Sequence, residues 1–138
     1  MRRVSARLRL EDAPTAIRPT ALEDCDEQLA LRRANRDHTK PWDPTRDESF
    51  YTVAGQRLEL ELDQRAWAAG SAFAFAVLAV DRRDRIVGRV DLKHERAERR
   101  LRVKAFHPEP AVRGNLDDCL AAALGRLARL LGVEAIDF

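Results

Sequence analysis

The segment His107-Pro108-Glu109-Pro110-Ala111-Val112-Arg113-Gly114-Asn115 joins a glycine turn to the start of a helical pattern. Such a junction presents unpaired backbone N–H groups at the positive end of a helix, where a phosphate binds. Arg113 offers a guanidinium suited to phosphate oxygens. Asp117 and Asp118 follow; they favour the helix end but repel a pyrophosphate. For proton transfer the candidates are His94 and His107, whose imidazoles titrate near neutrality, and Glu61 on a helical segment. Each histidine stands alone in sequence, and His107 precedes a proline in what reads as a turn. Trp42 lies in Pro41-Trp42-Asp43-Pro44, a stretch that cannot be regular helix or central strand. It forms either a lid over one end of the core or a wall of a substrate groove, and Phe50 and Tyr51 share that choice.

Cys25 and Cys119 both sit in helical patterns without metal-ligand spacing. Reduced intracellular thiols and no metal are therefore expected, and Cys119 reads as core rather than nucleophile. With 138 residues, 45% apolar and 35% charged, the chain fits one globular domain over 1–138. The longest apolar run, Ser71 to Val80, suits a buried strand and is too short to span a bilayer. The Arg-rich start is not followed by a long apolar segment, so no secretory signal is read and a cytoplasmic location is expected. A formal net charge of +2 leaves no strong uncompensated patch for non-specific nucleic-acid binding, which is not expected. A local site for an anionic ligand stays open.

These residues must be positioned by the elements around them. Val4 to Leu10 alternates as a half-buried strand, Thr15 to Arg18 returns as a short one, and Pro19 marks a boundary. Thr20 and Glu23 suggest a capping box opening a helix through Leu22, Cys25, Leu29 and Arg33 that fades near residues 35–38. A second helix spans about Thr52 to Ala69, with Val53, Gln56, Leu60 and Trp67 loosely on one stripe and Leu58 and Leu62 beside it. Ala72 to Val80 reads as a central strand. Asp81 to Asp84 turns the chain into a return strand, Ile86 to Leu92, with Gly88 as a bulge or close-approach site. Lys93 to Glu98 reads as a charged turn before a third strand, Arg99 to Phe106. The period then changes to 3.6, and Leu116, Cys119, Leu120, Ala123, Leu124, Leu127, Leu130 and Leu131 form one stripe. Gly132 stops that helix, which is expected to begin near Asn115. Val133 to Phe138 is a last strand, parallel to Arg99–Phe106 across a right-handed crossover.

This order resembles the GCN5-related N-acetyltransferase (GNAT) superfamily, and within it the branch that acetylates ribosomal-protein N-termini. The segments carrying the resemblance are Ile17-Arg18-Pro19 with Ala21-Leu22-Glu23-Asp24, Leu31 to Arg36 with Pro41-Trp42, and Phe50-Tyr51-Thr52 with Gln56-Arg57. Phe75-Ala76-Val77, Ile86 to Val90, His107-Pro108-Glu109, Arg113-Gly114 and Leu130 to Val133 complete it. Together they cover nearly the whole chain. The resemblance implies an α+β fold, a partial acyl-CoA N-acyltransferase fold whose mixed, mostly antiparallel sheet is flanked by helices. It implies transfer of an acetyl group from acetyl-CoA to a primary amine, with a protein N-terminal amine as one acceptor. Strand residues Val103, Lys104, Ala105 and Phe106 would guide the pantetheine arm, and Arg113, Gly114 and Asn115 would cradle the pyrophosphate. Trp42 and Tyr51 would line the acceptor side, and the proton would pass to His94, His107 or Glu61. The sequence departs from the family at Ala111 and Leu116 of the glycine turn and at Leu101, where the family can place a glutamate. Relative to the family it lacks the final helix and hairpin, so an exposed last strand and a homodimer are expected. A non-catalytic coenzyme A sensor or protein-interaction scaffold on the same fold is the alternative.

Overall fold

A computed structural model describes residues 8–12, 15–39, 46–80, 83–109 and 113–137. For Asp12, His38, Thr39, 113–117 and Cys119 it describes the backbone alone. The chain runs β1 (Leu10–Asp12), β2 (Thr15–Pro19), α1 (Cys25–Thr39), α2 (Val53–Ala69), β3 (Phe73–Ala79), β4 (Arg85–Glu95), β5 (Arg100–Pro108), α3 (Arg113–Leu131) and β6 (Ala135–Asp137). Short 3-10 turns, Leu22–Asp24 and Glu48–Tyr51, lead into α1 and α2. The six strands form one sheet in the order β1-β2-β3-β4-β5-β6. All neighbours are antiparallel except β5 and β6, which pair in parallel with Leu101 opposite Ile136. This is the mixed, mostly antiparallel sheet flanked by helices that the sequence implied.

Side-chain alternation along β3 splits the core between the two faces of the sheet. Phe73, Phe75 and Val77 join Val87, Val90, Leu92 and Leu101 in one cluster with Leu120, Ala123, Leu124 and Leu127 of α3. Ala76 and Leu78 join Ile86 and Leu31 of α1 in the other. The α3 spacing of three, four and seven residues is one apolar stripe, and that stripe seats the helix on the sheet. Gly70 and Gly132, each at φ +70°, end α2 and α3 in the left-handed region that a side chain rarely adopts.

Several local expectations are corrected. The first described strand is Leu10–Asp12, and residues 1–7 lie outside the described ones. Thr20 does not cap α1, since its hydroxyl bonds Asp63 at 3.2 Å, while the Ala21 N–H donates to the Asp24 carboxylate at 2.8 Å. The α1 face is rotated from the expected stripe: Arg33 is exposed, whereas Gln28, Leu29, Leu31, Arg32 and Asn35 are buried. On α2, Gln56 and Leu60 are buried, but Val53 is 54% exposed. The segment 93–95 continues β4 rather than turning, because ladder pairing to Arg100, Leu101 and Arg102 holds it extended. His107 lies within β5, not in a turn, and α3 begins at Arg113, two residues before the expected start near Asn115. The Trp42 loop lies outside the described residues.

Candidate functional site

Two irregularities distinguish the centre of the sheet. Between β3 and β4 the register jumps from Val77↔Gly88 to Leu78↔Ile86, so Val87 is the extra residue. Between β4 and β5 it jumps from Asp91↔Ala105 to Leu92↔Val103, so Lys104 is the extra residue. A bulge bends and twists its strand and re-aims the side chains beside it. Here the bend falls just past Arg102, the last β5 residue paired with β6. Among the described residues no strand covers the outer edge of β5 from Val103 to Pro108. Its outward N–H and C=O groups are thus open to a ligand.

The chain leaving β5 is held in place by two contacts. The Glu109 N–H donates to the Val87 carbonyl at 2.6 Å, and Arg85 grips the Glu109 carboxylate at 2.8 and 3.1 Å. Four residues after Glu109, α3 begins. Its first backbone N–H groups, at Arg113, Gly114 and Asn115, have no acceptor within the helix and sit at its positive end. The side chains of these three residues and of Leu116, and the whole of Ala111, lie outside the described residues. A separate groove of about 140 Å³ lies between α1 and the start of β4, lined by Leu31, Ile86 and Glu109 among others.

The sheet face toward α1 and α2 carries a buried polar network. Arg89, only 3% exposed, bonds both carboxylate oxygens of Asp63 at 2.7 Å. It also bonds Asp91 at 2.7 Å and the Gln28 side-chain carbonyl at 3.0 Å. The Gln28 amide donates to Gln56 at 2.8 Å, and the Gln56 amide donates to the Phe50 backbone carbonyl at 2.7 Å. One chain of hydrogen bonds therefore runs from the middle of β4 to the turn bearing Phe50 and Tyr51. Burial alone would push the Arg89 guanidinium down, but hydrogen bonding to Asp63 and the charge and bonding of Asp91 outweigh it and hold it above its ordinary value. Burial, then the charge of Arg89, lowers the Arg32 guanidinium, whose carboxylate neighbour is Glu59 at 3.6 Å. The Asp91 side chain keeps 26% exposure and sits directly opposite Ala105, next to the bulge.

The sequence-predicted residues distribute around this face unevenly. His107 is the cross-strand partner of Arg89, so the two side chains share the network face. His94 pairs with Leu101, a fully buried residue of the α3-side core, so it stands on the opposite face. Their β4 register positions are five residues apart, about 17 Å along a strand. The two histidines therefore do not share a site. Glu61 forms an ion pair with Arg57 one turn earlier, at 3.5 Å. Tyr51 packs edge-to-face on Phe50 at 5.1 Å, and the Arg36 guanidinium lies 4.2 Å over its ring. Leu101 is fully buried, so the position where the family can carry a glutamate is core here. Gln28 and Asp63 on the helices and Asp91 on β4 were missed because polar residues on an inward helix or strand face leave no signal in hydrophobic periodicity.

Burial, then the charge of Arg96, pushes the His94 imidazole below its ordinary value. An NMR pH titration should give His94 a midpoint under the usual imidazole range of about 6.5. The unfolded chain then binds the extra proton more readily, so the neutral form's contribution to stability is present above that range and is lost as pH falls through the folded midpoint. A midpoint at or above the ordinary value would contradict the placement of His94 against the core.

Among the described residues no group of three or more His, Cys, Asp or Glu side chains is placed to hold a metal ion, and no helix is long and apolar enough to cross a membrane. No family model matches the chain. The chain is 30% identical over 76 residues to a Bacillus subtilis (strain 168) protein named "Probable N-acetyltransferase YjcK", a match spanning 55% of this chain and 41% of that one. The aligned part is thus less than half of that relative. A ribosomal-protein-S5-alanine acetyltransferase from Vibrio fischeri superposes with a TM-score of 0.77 at 18% identity, covering 94% of this chain and 72% of that one. RimJ from Mycobacterium smegmatis, solved with a CoA-disulfide, superposes at 0.63 and 18% identity, covering 80% and 58%. These superpositions show a shared fold.

Proposed function

We propose, for a chain that carries the GNAT fold and closely resembles ribosomal-protein N-terminal acetyltransferases, the transfer of an acetyl group from acetyl-CoA to a primary amine, with a protein N-terminal amine as the acceptor. The observation that carries this reading is a coincidence in β5. The open edge, the Lys104 bulge and the α3 N-terminus follow one another within a dozen residues. The backbone of Val103, Lys104, Ala105 and Phe106 offers N–H and C=O groups to an amide-bearing pantetheine arm. The first turn of α3, at Arg113, Gly114 and Asn115, offers N–H groups to the pyrophosphate. Coenzyme A in the RimJ structure named above supports the choice of cosubstrate.

The thioester supplies an activated acyl carbon; the protein positions the amine and removes its protons. The amine approaches from the network face, where the Asp91 carboxylate is solvent-accessible beside the bulge and can hold an ammonium. His107 lies on the same face and accepts the proton that the ammonium must lose before attack. Nitrogen then bonds the carbonyl carbon, the carbon–sulfur bond breaks, and the departing thiolate is protonated to the free thiol. His94, on the other face, does not take part in this reading, and Glu61 is paired with Arg57.

Thiol release measured against a panel of amines and N-terminal peptides tests the proposal. Release should require both acetyl-CoA and the acceptor, and His107→Gln should lower kcat by about 100-fold with KM nearly unchanged. Binding of acetyl-CoA without release to any acceptor would favour the sensor or scaffold reading.

A further inference from the structure

The network face continues past Asp91 toward the β4–β5 turn, and there its character changes. By alternation, Lys93 follows Asp91 on the same face, and its direct cross-strand partner is Arg102. Two cations placed opposite one another cost a hairpin stability. Lys104 stands beside them, in the bulge. Lys93 and Lys104 are exposed, and neither has a carboxylate within 4.0 Å among the described residues. Arg102 is half exposed and reaches only Glu95, at 3.4 Å. The inner end of this face thus presents the Asp91 carboxylate, while its outer end, two residues and about 7 Å along the strand, carries an excess of positive charge: Lys93 and Arg102, with Lys104 beside them, against the single carboxylate of Glu95.

Resting on the acetyltransfer reading, we propose that the Lys93–Arg102 rim selects the acceptor: a peptide whose N-terminal ammonium lies at Asp91 and whose next residues carry acidic side chains. A like-charged cross-strand pair is unfavourable for the fold alone, and an anionic partner relieves it. The inner carboxylate favours a peptide over a nucleic acid, because it attracts an ammonium and repels a phosphate. Among the described residues the rim also carries no aromatic side chain on which a base could stack.

Fluorescence anisotropy on the whole chain tests this without requiring turnover. The probes are C-terminally labelled hexapeptides beginning Ala-Glu-Glu, Ala-Gln-Gln and Ala-Lys-Lys, with a single-stranded RNA of equal charge as a further arm. The Glu peptide should bind about five- to tenfold more tightly than the Gln peptide at low salt, and the advantage should shrink above the ionic strength that screens exposed pairs. Lys93→Glu should abolish the preference while leaving acetyl-CoA binding unchanged. It should also hold or raise the melting temperature, since it turns a repulsive pair into an attractive one. Equal affinity for the Glu and Gln peptides, a preference that survives Lys93→Glu, or tighter binding of the RNA would overturn the proposal. Failure of acetyl-CoA to bind would instead overturn the acetyltransfer reading, because peptide selection is read separately from cosubstrate binding.

Discussion

Replacing Arg89 by Met is expected to destabilise the protein by about 3–5 kcal/mol, because it strands two carboxylates that the guanidinium now neutralises. For a domain of this size that corresponds to a fall in melting temperature of about 10–20 °C. Asp63 and Asp91 make their shortest contacts to Arg89, at 2.7 Å, and Arg89 itself is 3% exposed. Removing the cation leaves the mostly buried Asp63 without compensation, and Asp91, whose side chain is 26% exposed, partly so. The same physics predicts the control. Arg89→Met combined with Asp63→Asn and Asp91→Asn should recover much of the loss, since no buried charge is then left alone. By contrast, Arg99→Ala breaks an exposed pair with Glu134, both side chains more than 60% accessible, and should change stability by less than about 1 kcal/mol. Calorimetric melting of the three variants beside the parent checks the set. An Arg89→Met protein that melts with the parent would contradict the network as the element tying α1 and α2 to β4.

Substituting Gly55 by Ala should lower stability by about 2–3 kcal/mol, against the helix propensity that favours Ala by about 1 kcal/mol. A β-carbon at Gly55 would sit 1.9 Å from the Ser49 carbonyl oxygen and 2.8 Å from its carbon, both backbone atoms. No rotamer change removes that clash. The contact exists because Thr52 folds the chain tightly at the start of α2: its hydroxyl donates to the Ser49 carbonyl at 2.6 Å and accepts from the Gly55 N–H at 3.1 Å. Pushing the turn away also moves Phe50 and Tyr51, so the proposed acceptor side should loosen with the fold. Gly125 supplies the opposite case. It lies within α3 with nothing within 4 Å of an added β-carbon, so Gly125→Ala should stabilise by up to about 1 kcal/mol. Equal shifts for the two substitutions would contradict the close approach at Gly55.

Much of the architecture was legible because it rests on apolar periodicity and on connection rules. The α3 stripe through Leu120, Leu124 and Leu127, the β3 run and the parallel pairing of β5 with β6 all follow from those two sources. The α1 face was not legible, and the α2 face only in part: Gln56 and Leu60 are buried as expected, whereas Val53 is exposed. Their inward positions are held by Gln28, Arg32, Asn35, Gln56 and Asp63; Gln28 and Gln56 bond each other, Arg89 bonds Gln28 and Asp63, Gln56 bonds the Phe50 carbonyl, and Arg32 pairs with Glu59. A buried polar face looks like a surface face in sequence, so Arg33 and Val53 were placed inward although both are exposed. The sequence named the stretch Val103 to Phe106 but not the bulge within it, since which residue of a pair of strands is extra depends on the partner's register. His94 and His107 looked equivalent as isolated imidazoles; only their cross-strand partners, Leu101 and Arg89, separate them onto opposite faces.

The proposed acetyl-CoA site joins the open edge of β5 to the first turn of α3. Backbone amide shifts followed by NMR during an acetyl-CoA titration test it most directly, because they report binding and location together. Saturable shifts are expected, concentrated at Val103 to Phe106 and at Arg113 to Asn115 and weakened by Arg113→Ala through loss of a phosphate partner. Amides that do not move at millimolar acetyl-CoA, or that saturate only elsewhere on the sheet, would contradict it.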